Sequence, residues 1–302
     1  MQRFVAAAAN RDRPLDHILL IGPSGTGKST FSHVIANELD VDVFAVEAPV
    51  SHETLLLLRE TMKDGDLLRI EEIHQQGAGD RRGRSSAMTP EVLYEVMEDR
   101  TITTGTGVLP YPSITIVGTT TDEGMLPDAF INRFPIRPRL ERYSADDIAV
   151  MAVWNAERLG VQITVSAAVR LANASRGVPR EVNNFILNGE SLVGPDNTIS
   201  VAVADEVLDV SGVTADGLTA DMQGMLTFLY TRAGRKVKDE IRYQASVGTI
   251  ATAIGKSRDS KAIALRVEPY LIERGFVQVG HGGRTLTDQG VERARELLGE
   301  RP

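Results

Sequence analysis

Five stretches of this chain carry side chains whose types and spacing suit phosphate chemistry. The first runs Gly22-Pro23-Ser24-Gly25-Thr26-Gly27-Lys28-Ser29 and continues through Thr30. It fits the pattern G-x-x-x-x-G-K-[ST] in full, between an apolar run and an amphipathic one. Its glycines let backbone N–H groups turn inward onto phosphate oxygens, and a helix starting at Lys28 adds the partial positive charge of its N-terminus. Lys28 can reach the β- and γ-phosphates, and the Ser29 hydroxyl is placed to ligate Mg²⁺. The second stretch, Asp66 to His74 (DLLRIEEIH), is an apolar run ending in Glu71 and Glu72. Such a pair suits a nucleoside triphosphatase, one carboxylate serving the metal and the next the attacking water.

Thr119-Thr120-Thr121 ends another apolar run, where a hydroxyl can touch the γ-phosphate or the water. Arg133 stands in Phe130–Phe134 (FINRF), placed to project onto a neighbour's nucleotide, and Arg180 opens a helix after Arg176-Gly-Val-Pro. An isolated arginine of this kind is ordinarily a surface or ion-pair residue. Their order behind a phosphate loop is what gives them meaning.

The elements that would position these groups follow from periodicity. Short apolar runs alternate with helical patterns through the first half, which implies a parallel sheet covered by helices. Strands are expected at His17–Ile21, Val41–Val46, Asp66–Ile70 and Ser113–Gly118, with helices at Lys28–Leu39, His52–Met62 and near Pro90–Met97. Gln75 to Ser86, with Arg81, Arg82 and Arg84, reads as a polar surface loop or a DNA-contacting one. From Ser144 the pattern turns helical: a start at Ser144-Ala-Asp-Asp147 running to about Leu159, then helices near Ser166–Ser175, Pro179–Asn188 and Val201–Leu208. Trp154 is expected in the apolar stripe of the first of these. Val210 to Gly217 reads as a linker. Beyond it come helices at Ala220–Thr231, Val247–Ile254 and Ala262–Arg274, then strands Phe276–Val279 and Arg284–Leu286 about a His281-Gly-Gly283 tip. Three helices followed by a hairpin is a winged helix.

Composition narrows the classes. The 302 residues include no cysteine, which excludes disulfides, thiol catalysis and cysteine-held zinc. No apolar run is long enough to span a bilayer and no secretory signal is recognisable, so a cytoplasmic protein is expected. Net charge is −8, but Thr219 to Pro302 holds 14 Lys and Arg against 10 Asp and Glu. Any polyanion contact is therefore expected from the C-terminal piece.

The series GPSGTGKS, IEEIH, GTTT, INRF and RGVPR resembles the AAA+ ATPases, and more closely the RuvB family. Pro14–Leu20 before the phosphate loop, Met97-Glu-Asp99, and above all Glu268-Pro-Tyr-Leu-Ile-Glu-Arg-Gly-Phe276 carry the closer likeness. The resemblance implies an α/β P-loop AAA+ core (1–142) with a parallel sheet flanked by helices, an all-helical lid (143–212) and a C-terminal winged-helix domain (213–302). It implies ATP and Mg²⁺ as cofactors, with Lys28 and Ser29 on phosphate and metal, Glu71 on the metal side and Glu72 activating water. Thr121, with Thr120 as the alternative, would be sensor 1, Arg133 the arginine finger and Arg180 sensor 2. Arg284 would contact DNA backbone. The family assembles as hexameric rings around duplex DNA and drives branch migration of Holliday junctions.

The chain also departs from that pattern. Arg69 occupies a strand position that favours an apolar residue. Glu71 stands for the usual Asp, Asp122 for a usual arginine, and the chain begins inside the family's first domain. The segment Met97–Thr115 is short, leaving at Thr101–Leu109 a stub of the hairpin that docks the family's junction-binding partner RuvA, so such a partner is not expected. The functions consistent with this are an ATP-driven DNA motor, a AAA+ loader or switch that binds DNA and a partner without translocating, and a winged-helix DNA-binding scaffold with a weakened ATP site.

Overall fold

The computed structural model describes residues 14–76, 91–237, 240–256 and 263–300. The chain divides into two compact units, Met1–Ser144 with Gly177–Glu181, and Ala145–Arg176 with Val182–Pro302.

The first unit is built on a parallel sheet. Its strands are β1 (Ile18–Ile21), β2 (Val43–Glu47), β3 (Leu67–Glu71) and β6 (Thr115–Thr120), in the order β1-β6-β3-β2. β1 is four apolar residues, all buried, as a strand covered on both faces requires. Strand alternation splits the sheet's side chains between two cores. Ile18, Leu20, Leu67 and Val117 pack with Ile35 and Ala36 of helix α1 (Lys28–Leu39). Leu19, Ile21, Leu68, Ile70 and Ile116 face the opposite core, with Leu55 of α2 (His52–Arg59) and Phe130 and Phe134. Beyond β1, Ile136 and Arg139 form isolated parallel bridges with Ile18 and Ile21. Pro135 and Pro138 lack the N–H donors of a regular ladder, so this segment pairs only intermittently.

Several elements differ in extent from the periodicity. α2 ends at Arg59 rather than Met62, and β2 is displaced to Val43–Glu47. The third helix is α3 (Glu91–Tyr94), which widens into a π turn over Glu95–Asp99. A hairpin of four-residue strands follows, β4 (Thr101–Thr104) and β5 (Gly107–Pro110), then after β6 a one-turn helix α4 (Asp128–Ile131). Of the polar loop, Gln75 closes a 3₁₀ turn and buried Gln76 bonds both backbone groups of Val50. The rest of it, with Arg81, Arg82 and Arg84, lies outside the described residues.

The second unit begins with α5 (Ala145–Arg158), α6 (Val165–Ala174), α7 (Pro179–Leu192) and α8 (Val201–Val210), the first turn of α7 belonging to the first unit. α6 buries Ala167, Ala168, Ala172 and Ala174 beside Leu171, small side chains that admit a close approach by α5. Thr164 and Ser200 cap α6 and α8 by accepting from Ala167 N and Val203 N. Two-residue strands β7 (Gln162–Ile163) and β8 (Thr198–Ile199) join the bundle's ends. Trp154 departs from expectation: α5 buries Ile148, Ala152 and Ala156, and the indole lies on the open face, 61% exposed.

The last part has its own apolar core, from Leu218 to Ala294. Here α9 (Ala220–Arg232), α10 (Val247–Ala253) and α11 (Glu268–Glu273) are the expected three helices. The expected hairpin is β11 (Val277–Gly280) with β12 (Gly283–Leu286). Two elements were not legible: a hairpin of β9 (Gly234–Val237) and β10 (Glu240–Ala245), and a closing helix α12 (Asp288–Leu297). The sheet runs β11-β12-β10-β9, antiparallel throughout. The segment read as a linker is a fixed corner. Leu218 N donates to Thr214 Oγ1, Tyr270 donates to Asp216 O, and Arg293 pairs with the Asp216 carboxylate at 2.7 Å.

Candidate nucleotide site

The phosphate loop leaves β1 at Ile21 and enters α1 at Lys28. Gly27 takes φ 93°, a left-handed conformation that costs a glycine little, and no side chain caps α1. No acidic residue occupies its first turn either, so the first backbone N–H groups and the helix dipole are left for an anion. Gly25, at φ 81°, is a close-approach position: a Cβ there would lie 2.8 Å from Val178 and 3.0 Å from Arg180 Cβ. Gly22 is packed against Leu140 in the same way, while Pro23 and Ser24 are exposed and Thr26 is buried with its hydroxyl donated to Pro23 O. Thr30, on the first turn of α1, is exposed.

Lys28 is almost fully buried, its Nζ donating to Gly22 O at 2.7 Å and Pro23 O at 2.9 Å. Burial holds its pKa below the usual lysine value, opposed by the carboxylates of Glu72 and Glu71 and reinforced by Arg180. A cation in that position gains from any anion brought to it.

Glu71 closes β3 on the sheet face that carries α1. Its Oε1 accepts from Ser29 Oγ and its Oε2 from Thr119 Oγ1, both at 2.6 Å. Burial alone would raise this carboxyl's pKa. The two hydroxyl bonds, with Arg69 and Lys28 beside it, outweigh burial and hold it below the usual glutamate value. Ser29 and Glu71 are hard oxygen donors brought together at a helix N-terminus, a donor set that suits Mg²⁺ arriving with a phosphate.

Glu72 is the next residue and points elsewhere, because its backbone is left-handed at φ 48°, ψ 46°. A non-glycine residue holds that conformation at a cost of about 1–3 kcal/mol, and such strain concentrates at functional positions. Its Oε2 accepts from Thr121 Oγ1 at 3.3 Å and lies 3.3 Å from His74 Nδ1. Thr121 is exposed, whereas Thr120 is buried, 3.0 Å from His74 Nδ1 and accepting from Asp122 N. The three threonines thus divide among three partners: Glu71, His74 and Glu72. The sequence motifs do not distinguish Thr119 or His74 from their neighbours, although period-2 alternation puts Thr119 on the Glu71 face of the sheet.

Arg180 N donates to Gly25 O and its Nη1 to Ser24 Oγ, each at 3.3 Å, so the start of α7 sits on the phosphate loop. Arg133 has other company. It lies 3.7 Å over the Tyr94 ring, pairs with Glu98 at 2.9 Å, and donates to Ala129 O. The last residue of α3 supplies Tyr94 and the π turn that follows supplies Glu98. In the second unit, Arg284 makes a bidentate pair with Glu268, at 2.7 and 2.8 Å, and Glu268 is only 4% exposed.

A phosphate loop, two carboxylates at a strand end, a hydroxyl-bearing neighbour strand and a basic helix start, ahead of a helical bundle and a winged helix, define a P-loop AAA+ protein. Residues 1–140 match the family model described as the Holliday junction DNA helicase RuvB P-loop domain, and residues 240–294 match the RuvB C-terminal winged helix domain. The structure is similar over 100% of the chain to that of the Thermotoga maritima RuvB Holliday junction branch migration motor, at 26% identity, TM-score 0.78 and 93% of that chain. A point-mutant form of the same Thermotoga maritima protein gives TM-score 0.80 at 26% identity, over 94% of its chain. The chain belongs to the RuvB family.

Proposed function

We propose that this chain is an ATP-hydrolysing DNA motor that drives branch migration or translocation on four-way or duplex DNA in recombination and repair. The observation that carries the reading is the Ser29–Glu71–Thr119 cluster beside a buried Lys28, with Arg180 on the phosphate loop, in a chain that also bears a winged helix. Bound ATP would bring Mg²⁺, held by Ser29 and Glu71, and the metal would supply charge for the β- and γ-oxygens. Lys28 faces the phosphates and Arg180 the loop's rim. Glu72, kept off the metal side by its left-handed backbone, accepts the proton of the attacking water, with Thr121 and His74 orienting it.

Arg133 acts across a subunit boundary. In a ring of head-to-tail copies each nucleotide meets the next subunit, and a hexamer is the assembly this reading takes. The lid (143–212) couples nucleotide state to the winged-helix domain (213–302), which holds DNA mainly through its backbone. No helix among the described residues is long and apolar enough to cross a membrane, and the reading places the protein in the cytoplasm.

A second reading, a AAA+ switch that binds DNA and a partner without translocating, is favoured by one observation, the four-residue strands of β4 and β5. That stub also weighs against a RuvA-like partner. ATP hydrolysis stimulated by DNA, together with directional movement on a four-way junction, is the expected result. Stimulation without movement favours the switch, and no stimulation refutes both.

A further inference from the structure

Arg69 is the feature of the nucleotide site that the family reading leaves unexplained. It lies in the middle of β3, paired in register with Ala45 on one side and Val117 on the other. Strand alternation puts it on the same face as Glu71, two residues on, where α1 crosses the sheet. An apolar residue is expected there, since Leu67 and Val117 on this face pack into the α1 core. The guanidinium instead turns along the sheet toward the site.

Its contacts are specific. Nε stands 3.0 Å from Glu71 Oε1, the same oxygen that accepts from Ser29. Nη1 donates to Ser29 O at 3.2 Å and Ser32 Oγ at 3.0 Å, and lies 2.9 Å from His33 Nε2. Two hydrogens on Nη1 face three acceptors, so at least one bond is shared. The side chain is 12% exposed, which limits screening of its charge by water. Ser29, Ser32 and His33 are i, i+3 and i+4 on α1, so Arg69 reads one polar edge of that helix and the carboxylate together.

We propose that Arg69 is a resident counter-cation for the metal-side carboxylate, and that it makes nucleotide binding by this chain far less dependent on Mg²⁺ than the Ser29–Glu71 pair alone would. This rests on the reading of that pair as the metal position. A divalent ion approaching Glu71 meets a fixed positive charge within ion-pair distance of one of its two oxygens. Its affinity is lowered by that repulsion. A nucleotide arriving without metal still finds a carboxylate already neutralised, so the phosphates are not repelled. The extra methylene of Glu71 relative to aspartate gives the carboxylate the reach to serve Arg69, Ser29 and Thr119 at once.

The test uses the full chain and a fluorescent ADP, titrated in excess EDTA and again in saturating Mg²⁺. The readout is the ratio of the two dissociation constants. The wild-type ratio is expected to be small. Arg69→Gln, which keeps hydrogen bonding without charge, should raise it roughly tenfold, and Arg69→Met, apolar like its strand neighbours, should do the same. Arg69→Lys keeps the charge and should stay near wild type. A merely structural role for Arg69 would lower thermal stability and move both constants together, leaving the ratio fixed. An unchanged ratio in Arg69→Gln and Arg69→Met, or a rise in Arg69→Lys equal to theirs, overturns the proposal. If the wild-type chain binds ADP in neither condition, the nucleotide-site reading itself has failed.

Discussion

Arg284→Ala removes the basic half of a nearly buried ion pair, and its cost can be worked from the geometry. Glu268 is 4% exposed and accepts both bonds of the guanidinium, at 2.7 and 2.8 Å. The Arg284 side chain is itself 17% exposed. Removing one partner of such a pair leaves a charge buried without compensation, a loss of about 3–5 kcal/mol. Because one rim of the pair meets water, the lower end, about 3 kcal/mol, is the expected value. Removing both charges in Glu268→Leu/Arg284→Leu should restore most of it, since two apolar residues leave no orphan. The sole tryptophan, Trp154, lies on α5 and reports on the lid, so fluorescence is the wrong probe. Amide hydrogen exchange over Val277–Gly280 and Gly283–Leu286 reads the right strands. If these amides exchange at wild-type rates in Arg284→Ala while DNA affinity drops, Arg284 is a free DNA contact and the ion-pair argument is refuted.

Other expected outcomes follow from the same geometry. Lys28→Ala should weaken nucleotide binding by roughly a hundredfold or more, since two phosphates lose a charged donor, measured by fluorescent-nucleotide titration. Glu72→Gln should bind ATP normally and hydrolyse it roughly a hundredfold or more slowly in single-turnover assays; the reverse pattern in Glu71→Gln would exchange the two roles. Arg133→Ala should cut hydrolysis by roughly a thousandfold while sparing ATP binding, and mixing it with Lys28→Ala subunits should recover activity in an assembly. Burial opposes ionisation of Asp216, but its bonds to Thr214 and Arg293 outweigh burial and hold its pKa below the usual aspartate value. Its contribution to stability is therefore complete above the unfolded-state pKa and lost as pH falls through the depressed one. Asp216→Asn should be less stable than wild type at pH 7 and lose less on acidification, as read from urea midpoints against pH.

Much of the fold was legible because the physics behind it is local. Alternating apolar runs and helices required a covered parallel sheet, and the glycine spacing set the loop between β1 and α1. The winged helix was readable from three amphipathic segments and a Gly-rich tip. The missed pieces lack that kind of signal. β9 (Gly234–Val237) is half basic, and the alternation of Ile241, Tyr243 and Ala245 in β10 is too short to stand as a strand until the partner strand β12 is known. α12 is strongly polar, with Gly290 and Ala294 as its buried positions, and only Thr287 as an N-cap announces it. Trp154 follows the opposite rule. Its helical phase was compatible with burial, but small residues at Ala152 and Ala156 define the buried stripe and leave the indole outside.

At the site, sequence order could assemble the groups but not assign partners among adjacent residues of like type. Glu71 and Glu72 are chemically near-identical in the sequence. What separates them is a backbone turn at φ 48°, which sends one carboxylate to Ser29 and Thr119 and the other to Thr121 and His74. The same turn separates two electrostatic tasks. Glu71 is surrounded by donors and cations that favour its ionised form, as the metal-side role proposed for it requires. Glu72 has longer contacts, a hydroxyl and an imidazole each at 3.3 Å, which suits the water-activating role proposed for it. A base tied as tightly as Glu71 could not accept a proton without losing those bonds, and a ligand as loosely held as Glu72 would hold a cation poorly. The division of labour proposed for the pair therefore rests on one strained residue, and on Thr119 inside β6 and Thr121 just past its end giving their hydroxyls to different carboxylates.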